Sequence, residues 1–298
     1  MAANLKEVRN RIKSTISTQQ ITKAMKMVSA AKLRRAQQSI VQMRPYANKL
    51  NAMMSNIMSF SDGQGAGNFG KATEKKKPLM VVITSDRGLC GGFNSNIIKL
   101  AHKTITEHYS EQAKNGTLGF LCIGKKGFEY FRRRFPNCAM NSTYVNLFSE
   151  MNYEKVSDIA HFIMNEFTIG NTDQIEVFYN RFKNAATQFP QGEQFLPVQK
   201  AEISVTPGAS SKPDFIFEPN QADLLKELIP SILKSQLYKC VLDNLASEHG
   251  SRMTAMDKAT ENAEEILSEL KINYNKARQE AITKELSEIV GGAAALGG

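Results

Sequence analysis

The 298-residue chain is 42% hydrophobic and 22% charged, ordinary values for a globular protein, and its length suits about two domains. No stretch approaches the roughly 18 consecutive apolar residues of a membrane-spanning helix, which excludes a chain that crosses a bilayer in helices. The net charge of +9 is concentrated: residues 1 to 49 hold eleven Lys or Arg against the single acid Glu7, a local +10, and the remainder sums to −1. An acid-poor segment with several Ser and Thr fits three readings: a nucleic-acid surface, a transit peptide, or a helix facing acidic partners.

The first 60 residues predict one long helix. They contain no glycine and one proline, Pro45. From Leu33, apolar residues recur at alternating spacings of three and four: Leu33, Ala36, Ile40, Met43, Ala47, Leu50, Met54 and Ile57. Carried backward, that phase meets Leu5, Val8 and Ile12 but lands on Thr15, Gln19, Thr22, Lys26 and Ser29. Between them the apolar positions move to Ile21, Met25 and Val28. The slip predicts a coiled-coil strand with an interrupted seam, or one that turns a different face to a different neighbour. Pro45 lacks a backbone donor, so a kink near Arg44 is expected. Residues 61–77, SDGQGAGNFGKATEKKK, carry four glycines and a charge run and read as a mobile loop.

Residues 78–220 read as a separate α/β domain. Strands are predicted at 79–84, 118–123, 174–182 and 196–204, separated by helices at 93–109, 125–134 and 153–168. That order fits a Rossmann-like α/β sandwich with a mainly parallel sheet. Residues 221–298 are again helical. After a short segment around Ala222 to Ile229, Pro230 suits a first turn, and Ser231 to Val290 contains only Gly250 as a weak point.

Sixty residues at 1.5 Å each make a rod of about 90 Å, which needs something to pack on. The stripe Ile232, Leu237, Val241, Leu245, Met256, Ala263, Leu267, Leu270, Tyr274 and Ala277 offers an apolar face. Residues 221–298 carry 12 acids and 9 bases, which complements the basic first helix. The fold class is therefore α/β, with a long antiparallel coiled coil of N- and C-terminal helices joined to the α/β domain.

The stretch SDRGLCGGFNSN, residues 85–96, follows an apolar run and sets Cys90 in the G-x-nucleophile-x-G spacing of a strand-to-helix elbow. A thiol nucleophile needs a histidine within reach. His102 and His108 would lie about 18 and 27 Å along the following helix, and His161 falls mid-helix. The glycines match neither G-x-G-x-x-G nor G-x-x-x-x-G-K-[ST]. A tight structural turn is the favoured reading, with Asp86 capping the following helix or pairing with Arg87, and the glycines admitting positive φ. Such a loop would fix the sheet against whatever it docks on. Cys90, Cys122, Cys138 and Cys240 show no metal-ligand spacing with the four histidines, so neither metal nor cofactor is expected.

Three segments carry a resemblance. QQITKAMKMVSAAKLRRAQ near the start, SDRGLCGGFNSN in the middle and SRMTAMDKATENAEEILSELKINYNKARQEAITKELSEIVGGAAAL at the end resemble, in order and across nearly the whole length, the gamma subunit of the rotary F-type ATP synthase. The resemblance implies a non-catalytic rotor. Its coiled coil would be the shaft inside a ring of three alpha and three beta subunits. Its α/β domain would be the foot on the ring of c subunits, beside the epsilon subunit.

Ion flow, of protons or sodium, would thereby be coupled to ATP synthesis or hydrolysis. Met25 and Lys26 match the level of acidic loops of the beta subunits, and Arg278 and Gln279 match a beta contact higher on the shaft. Gly291, Gly292, Ala293, Ala294, Ala295 and Leu296 match a tip that turns within an apolar sleeve. Membrane contact is then expected only through the c ring, on the cytoplasmic side of a bacterial inner membrane, with no nucleic-acid partner.

The resemblance begins within the first few residues, which argues against the transit-peptide reading. No closely spaced cysteine pair is present, so thiol regulation is not expected. Two alternatives stand beside the rotor: a cysteine-dependent or nucleotide-binding α/β enzyme with helical arms, and a basic nucleic-acid-binding coiled coil. The first aromatic residue of the chain is Tyr46, which weakens the latter.

Overall fold

Freedom from glycine and the 3/4 apolar spacing together make residues Leu5–Phe60 a helix, α1, which runs through Pro45. The structure, a computed structural model, describes residues 5–60, 67–70, 76–198 and 221–296. After α1 come β1 (Pro78–Ile83), α2 (Phe93–His108), α3 (Ser110–Asn115), β2 (Gly119–Ile123), α4 (Lys125–Arg134), β3 (Ala139–Asn141), α5 (Tyr153–Ile169), β4 (Gln174–Phe182), β5 (Gln188–Leu196) and α6 (Gln221–Leu296). The predicted loop at 61–77 lies largely outside the described residues.

The chain divides into two compact units, one of residues 1–30 with 252–298 and one of residues 31–251. The larger unit holds a five-stranded sheet in the order β3-β2-β1-β4-β5. β1 pairs parallel with β2 and β4, β2 pairs parallel with β3, and β4 pairs antiparallel with β5.

β1 is buried along its whole length, the signature of a parallel strand covered on both faces, and it reads as a continuous apolar run for that reason. Leu79, Val81 and Ile83 pack with Ile159, Ile163, Leu233, Leu237 and Val241, so α5 and α6 cover one face. Met80 and Val82 pack with Ile97, Ala101, Ile105 and Phe131 of α2 and α4 on the other. On α1, Leu33, Ala36, Ile40, Ala47 and Leu50 are all buried, as the spacing predicts. The side chains of Met54 and Ile57 lie outside the described residues.

Three expectations change. The strand placed at 196–204 is instead the antiparallel β5, which shares only Leu196 with it; residues 199–204 lie outside the described residues. Asn184 builds the hairpin, its Oδ1 accepting from Ala186 N at 3.1 Å and Thr187 N at 2.7 Å. β5 tolerates Pro190 because, among the described residues, it is an edge strand, paired on one side only.

Second, α6 starts at Gln221 and carries Pro230 inside it. A mid-helix proline costs about 3 kcal/mol, and the nearly complete burial of Ile229, Ile232 and Leu233 offsets it at about 1.5 to 3 kcal/mol each. Third, the short elements α3 and β3 carry no predicted counterpart.

Candidate functional site

The glycine-rich elbow is a docking turn. Leu89 at φ 61° and Gly91 at φ 58° reverse the chain, and Cys90 beneath them is only 2% exposed. Asn94 organises the loop, its Oδ1 accepting from Ser85 N at 3.0 Å and its Nδ2 donating to Ser85 Oγ at 2.7 Å and to Cys90 Sγ at 3.3 Å. Ser251 Oγ of α6 donates to Cys90 O at 2.7 Å.

The expected docking role of the loop is therefore met by α6. Of its two expected roles, Asp86 does not take the cap on α2: α2 has no side-chain cap, and Asp86 Oδ1 accepts from Lys125 N at 3.3 Å, at the start of α4. Strand β4 is likewise tied to α6. Asn244 Oδ1 accepts from Asn180 N at 3.1 Å, and Ser247 Oγ donates to Asn180 O at 2.8 Å.

None of the four cysteines is in a disulfide, and all four are buried. Burial pushes the Cys122 thiol up to about 12 and moves Cys138 and Cys240 in the same direction. A thiol is reactive only as thiolate. Iodoacetamide at neutral pH is therefore expected to leave the folded chain unlabelled, and Cys90→Ala to cost about 1 kcal/mol, one small apolar group. Mass spectrometry and denaturant titration check both; rapid labelling of Cys90 would mean that the turn opens.

The partner-contact candidates lie in the other unit, where α1 and α6 pair antiparallel. Arg9 Nη2 donates to Tyr274 OH at 2.9 Å, the Thr22 and Thr260 hydroxyls lie 2.8 Å apart, and Lys26 is ion-paired to Asp257. As α1 advances from 9 to 22 to 26, its partner recedes from 274 to 260 to 257. Thr22 is 8% exposed and Ser29 3%, with Val8, Met256 and Ala263 also buried.

The seam therefore keeps its phase through the polar stretch. No slip occurs: Ile21 at 59%, Met27 at 61% and Val28 at 56% exposure point outward. The composition of the seam changes, and a second, apolar face appears on the other side of the helix.

Met25 and Lys26 sit half-buried at the margin of this face. Lys26 spends its charge on Asp257 of the paired helix, a part-exposed pair worth about 0.2 to 1 kcal/mol. Arg278 and Gln279 are exposed on α6, and no ion pair engages Arg278 among the described residues. Ala293 is exposed in the last turns; the side chains of Ala294 and Leu296 lie outside the described ones.

The apolar positions Ile266, Ile272, Ile282, Leu286, Ile289 and Val290 are also exposed on α6. In the sequence they stand apart from the apolar stripe of α6. Among the described residues, no group of three His, Cys, Asp or Glu is placed to hold a metal ion.

The family described as ATP synthase matches residues 4–296. The ATP synthase gamma chain of Cytophaga hutchinsonii is 50% identical over 293 residues, covering 98% of this chain and 99% of that one. That of Flavobacterium psychrophilum is 49% identical over 298 residues, covering 99% and 100%.

Among solved structures, the central stalk and c-ring of the Tetrahymena thermophila mitochondrial ATP synthase contains a similar chain. It aligns at TM-score 0.56 and 26% identity, covering 80% of this chain and 99% of that one. A chain of the Euglena gracilis mitochondrial ATP synthase shares the fold at TM-score 0.64 and 21% identity, covering 98% and 94%.

Proposed function

The chain belongs to the ATP synthase gamma-chain family, and from that premise we propose that it is the central rotor shaft of an ATP synthase. It couples ion flow through a ring of c subunits to ATP synthesis or hydrolysis in a ring of three alpha and three beta subunits, and so governs ATPase activity and proton flow. It is a non-catalytic subunit.

The observation that carries this reading is the pairing of α1 and α6 through a polar seam while apolar side chains face outward. A helix pair seeking only its own stability would bury Ile21, Met27 and Val28 and expose Thr22 and Ser29. The inverse arrangement holds apolar contact area ready for an enclosing partner. Spread over many side chains, each contributing a fraction of its full 1.5 to 3 kcal/mol, such contacts can be released one after another as the shaft turns.

In this reading residues 1–60 and 221–298 form the shaft, 61–77 a loop and 78–220 the foot, which rests on the c ring beside epsilon. Met25, Lys26, Arg278 and Gln279 meet the beta subunits, and Ala293, Ala294 and Leu296 turn in an apolar sleeve. Among the described residues no helix is long and apolar enough to cross a membrane, so membrane association runs through the ring, at the cytoplasmic face of a bacterial inner membrane.

Coexpression with alpha and beta subunits tests the reading. The chain should copurify with them, and scrambling residues 251–296 should abolish gradient-driven ATP synthesis. A monodisperse monomer that ignores those subunits would refute it.

A further inference from the structure

The larger unit holds α6 by two unlike means. From Ile229 to Val241 the hold is apolar: Ile229, Leu233, Leu237 and Val241 pack with Leu79, Val81, Ile175 and Val177 of β1 and β4. Contact of that kind has no preferred direction. From Asn244 to Ser251 the inward face turns polar, with Asn244 and Ser247 both fully buried.

This polar stretch is bonded to backbone atoms. Asn180 lies two residues beyond Phe178, the last residue of β4 with a partner on β1. It stands opposite Pro190 of β5, which has no N–H to give. Asn180 is buried, so its own N–H and C=O need partners in the core. α6 supplies both, Asn244 Oδ1 accepting from the N–H and Ser247 Oγ donating to the C=O. Four residues on, Ser251 Oγ donates to Cys90 O of the elbow. At Gly250 the hairpin between β4 and β5 comes so close that an added Cβ would lie 3.2 Å from both Cα and O of Ala185.

These contacts fit α6 in one position only. Residues 244, 247 and 251 follow the three-four spacing of one helix face, over about 10 Å of axis. Sliding α6 by one residue moves it about 1.5 Å and turns it about 100°, which breaks every bond together, whereas the apolar stretch would find new partners. The anchors are main-chain atoms of a strand and a tight turn, which cannot swing after the helix as long side chains do. Packing does not account for the choice of residues. Asn244 Nδ2 is buried and unpaired among the described residues, and a core built for stability alone would hold an apolar side chain there.

We infer that Asn244, Ser247 and Ser251, with Gly250 as the seat of the hairpin, are the torque-bearing grip of the foot on α6. They are positioning residues that keep the helix from slipping when rotation works against a load. The inference rests on the rotor reading, in which the foot is driven and α6 runs on into the shaft. Beyond Ser251 the helix passes into the smaller unit, so this is the last part of α6 that the larger unit holds.

The test compares loaded with unloaded turnover in ATP synthase carrying S247A/S251A. Gradient-driven synthesis by the membrane-bound complex should fall about tenfold, the weight of roughly two hydrogen bonds between gripped and slipped states. ATP hydrolysis by the soluble assembly with alpha and beta subunits, where nothing loads the foot, should keep its kcat and KM. Val241→Ala is the control. It removes non-directional contact from the same helix, so it should lower the unfolding midpoint and leave synthesis intact. Ser251→Thr keeps the hydroxyl and should couple like the unsubstituted chain, where Ser251→Ala does not.

Undiminished synthesis in S247A/S251A overturns the inference. So does an equal loss of synthesis and soluble hydrolysis, or a loss of synthesis in Val241→Ala, since coupling would then follow stability alone. Should the double variant fail to fold, Ser251→Thr and Ser251→Ala decide, and equal synthesis by the two overturns the inference. An unsubstituted chain that does not assemble with alpha and beta subunits refutes the rotor reading, and the grip with it.

Discussion

Gly124→Ala is expected to destabilise the α/β unit by more than about 3 kcal/mol, since its added Cβ makes the shortest contact of any described glycine. Gly124 turns the chain from β2 into α4 at φ +100°, a conformation L side chains rarely adopt. Strain of that kind costs on the order of 1 to 3 kcal/mol. The added Cβ would also sit 2.2 Å from Thr84 O and 2.9 Å from Thr84 Oγ1.

Thr84 has no room to yield. Its N–H donates to Ile123 O at 2.8 Å, and its hydroxyl accepts from Gly127 N at 2.8 Å. Moving it breaks the junction between β1, β2 and α4. Gly170→Ala is the control, since it shares a positive φ of +83° but meets nothing within 4 Å; it should cost only the strain. Denaturant titration separates the two, and equal losses would show that the contact with Thr84 is unimportant.

Arg278→Glu should leave folding unchanged and cut gradient-driven ATP synthesis by about tenfold or more. The side chain is exposed on α6, where surface substitutions usually stay within about 0.5 kcal/mol. Its proposed beta contact would be reversed in sign, and like charges brought together at an interface cost several kcal/mol. The split between an unchanged unfolding midpoint and lost synthesis separates a contact residue from a structural one. Arg278→Lys should retain most of the activity if charge alone matters. Synthesis undiminished in Arg278→Glu would remove this residue from the contact surface.

Strong periodicity and buried apolar runs survived from sequence to structure. β4 was placed at its observed limits, 174–182, and the Leu33-to-Leu50 stripe proved to be the buried face of α1. β5 was missed because its sequence, QFPQGEQFL, carries Pro190, Gly192 and a polar face, and its pairing along β4 is a non-local event. Of the two roles expected of Asp86, the cap on α2 fails for the same reason. A cap looks local in sequence, yet its donor, Lys125 N, lies 39 residues away.

The outward apolar face of α1 was legible only by halves. Ile21, Met25 and Val28 stood out as apolar residues off the seam, but hydrophobicity by itself made them the new seam. The decision belonged to register: Arg9 on Tyr274, Thr22 on Thr260 and Lys26 on Asp257 hold the polar stretch inward.

The sequence by itself determined that this chain has two long helices flanking a mainly parallel α/β sheet, since periods of 3.6 and 2 and the basic first helix are local properties. It also made the elbow a turn, for want of a reachable base. Only the tertiary structure decided which side of each helix is free and what holds α6. Cys90, Asn180 and Ala185 are far from residues 244–251 in the chain. The sheet brings them to one stretch of α6 because β1 stops short of Asn180, which leaves that residue's backbone groups for the helix to take.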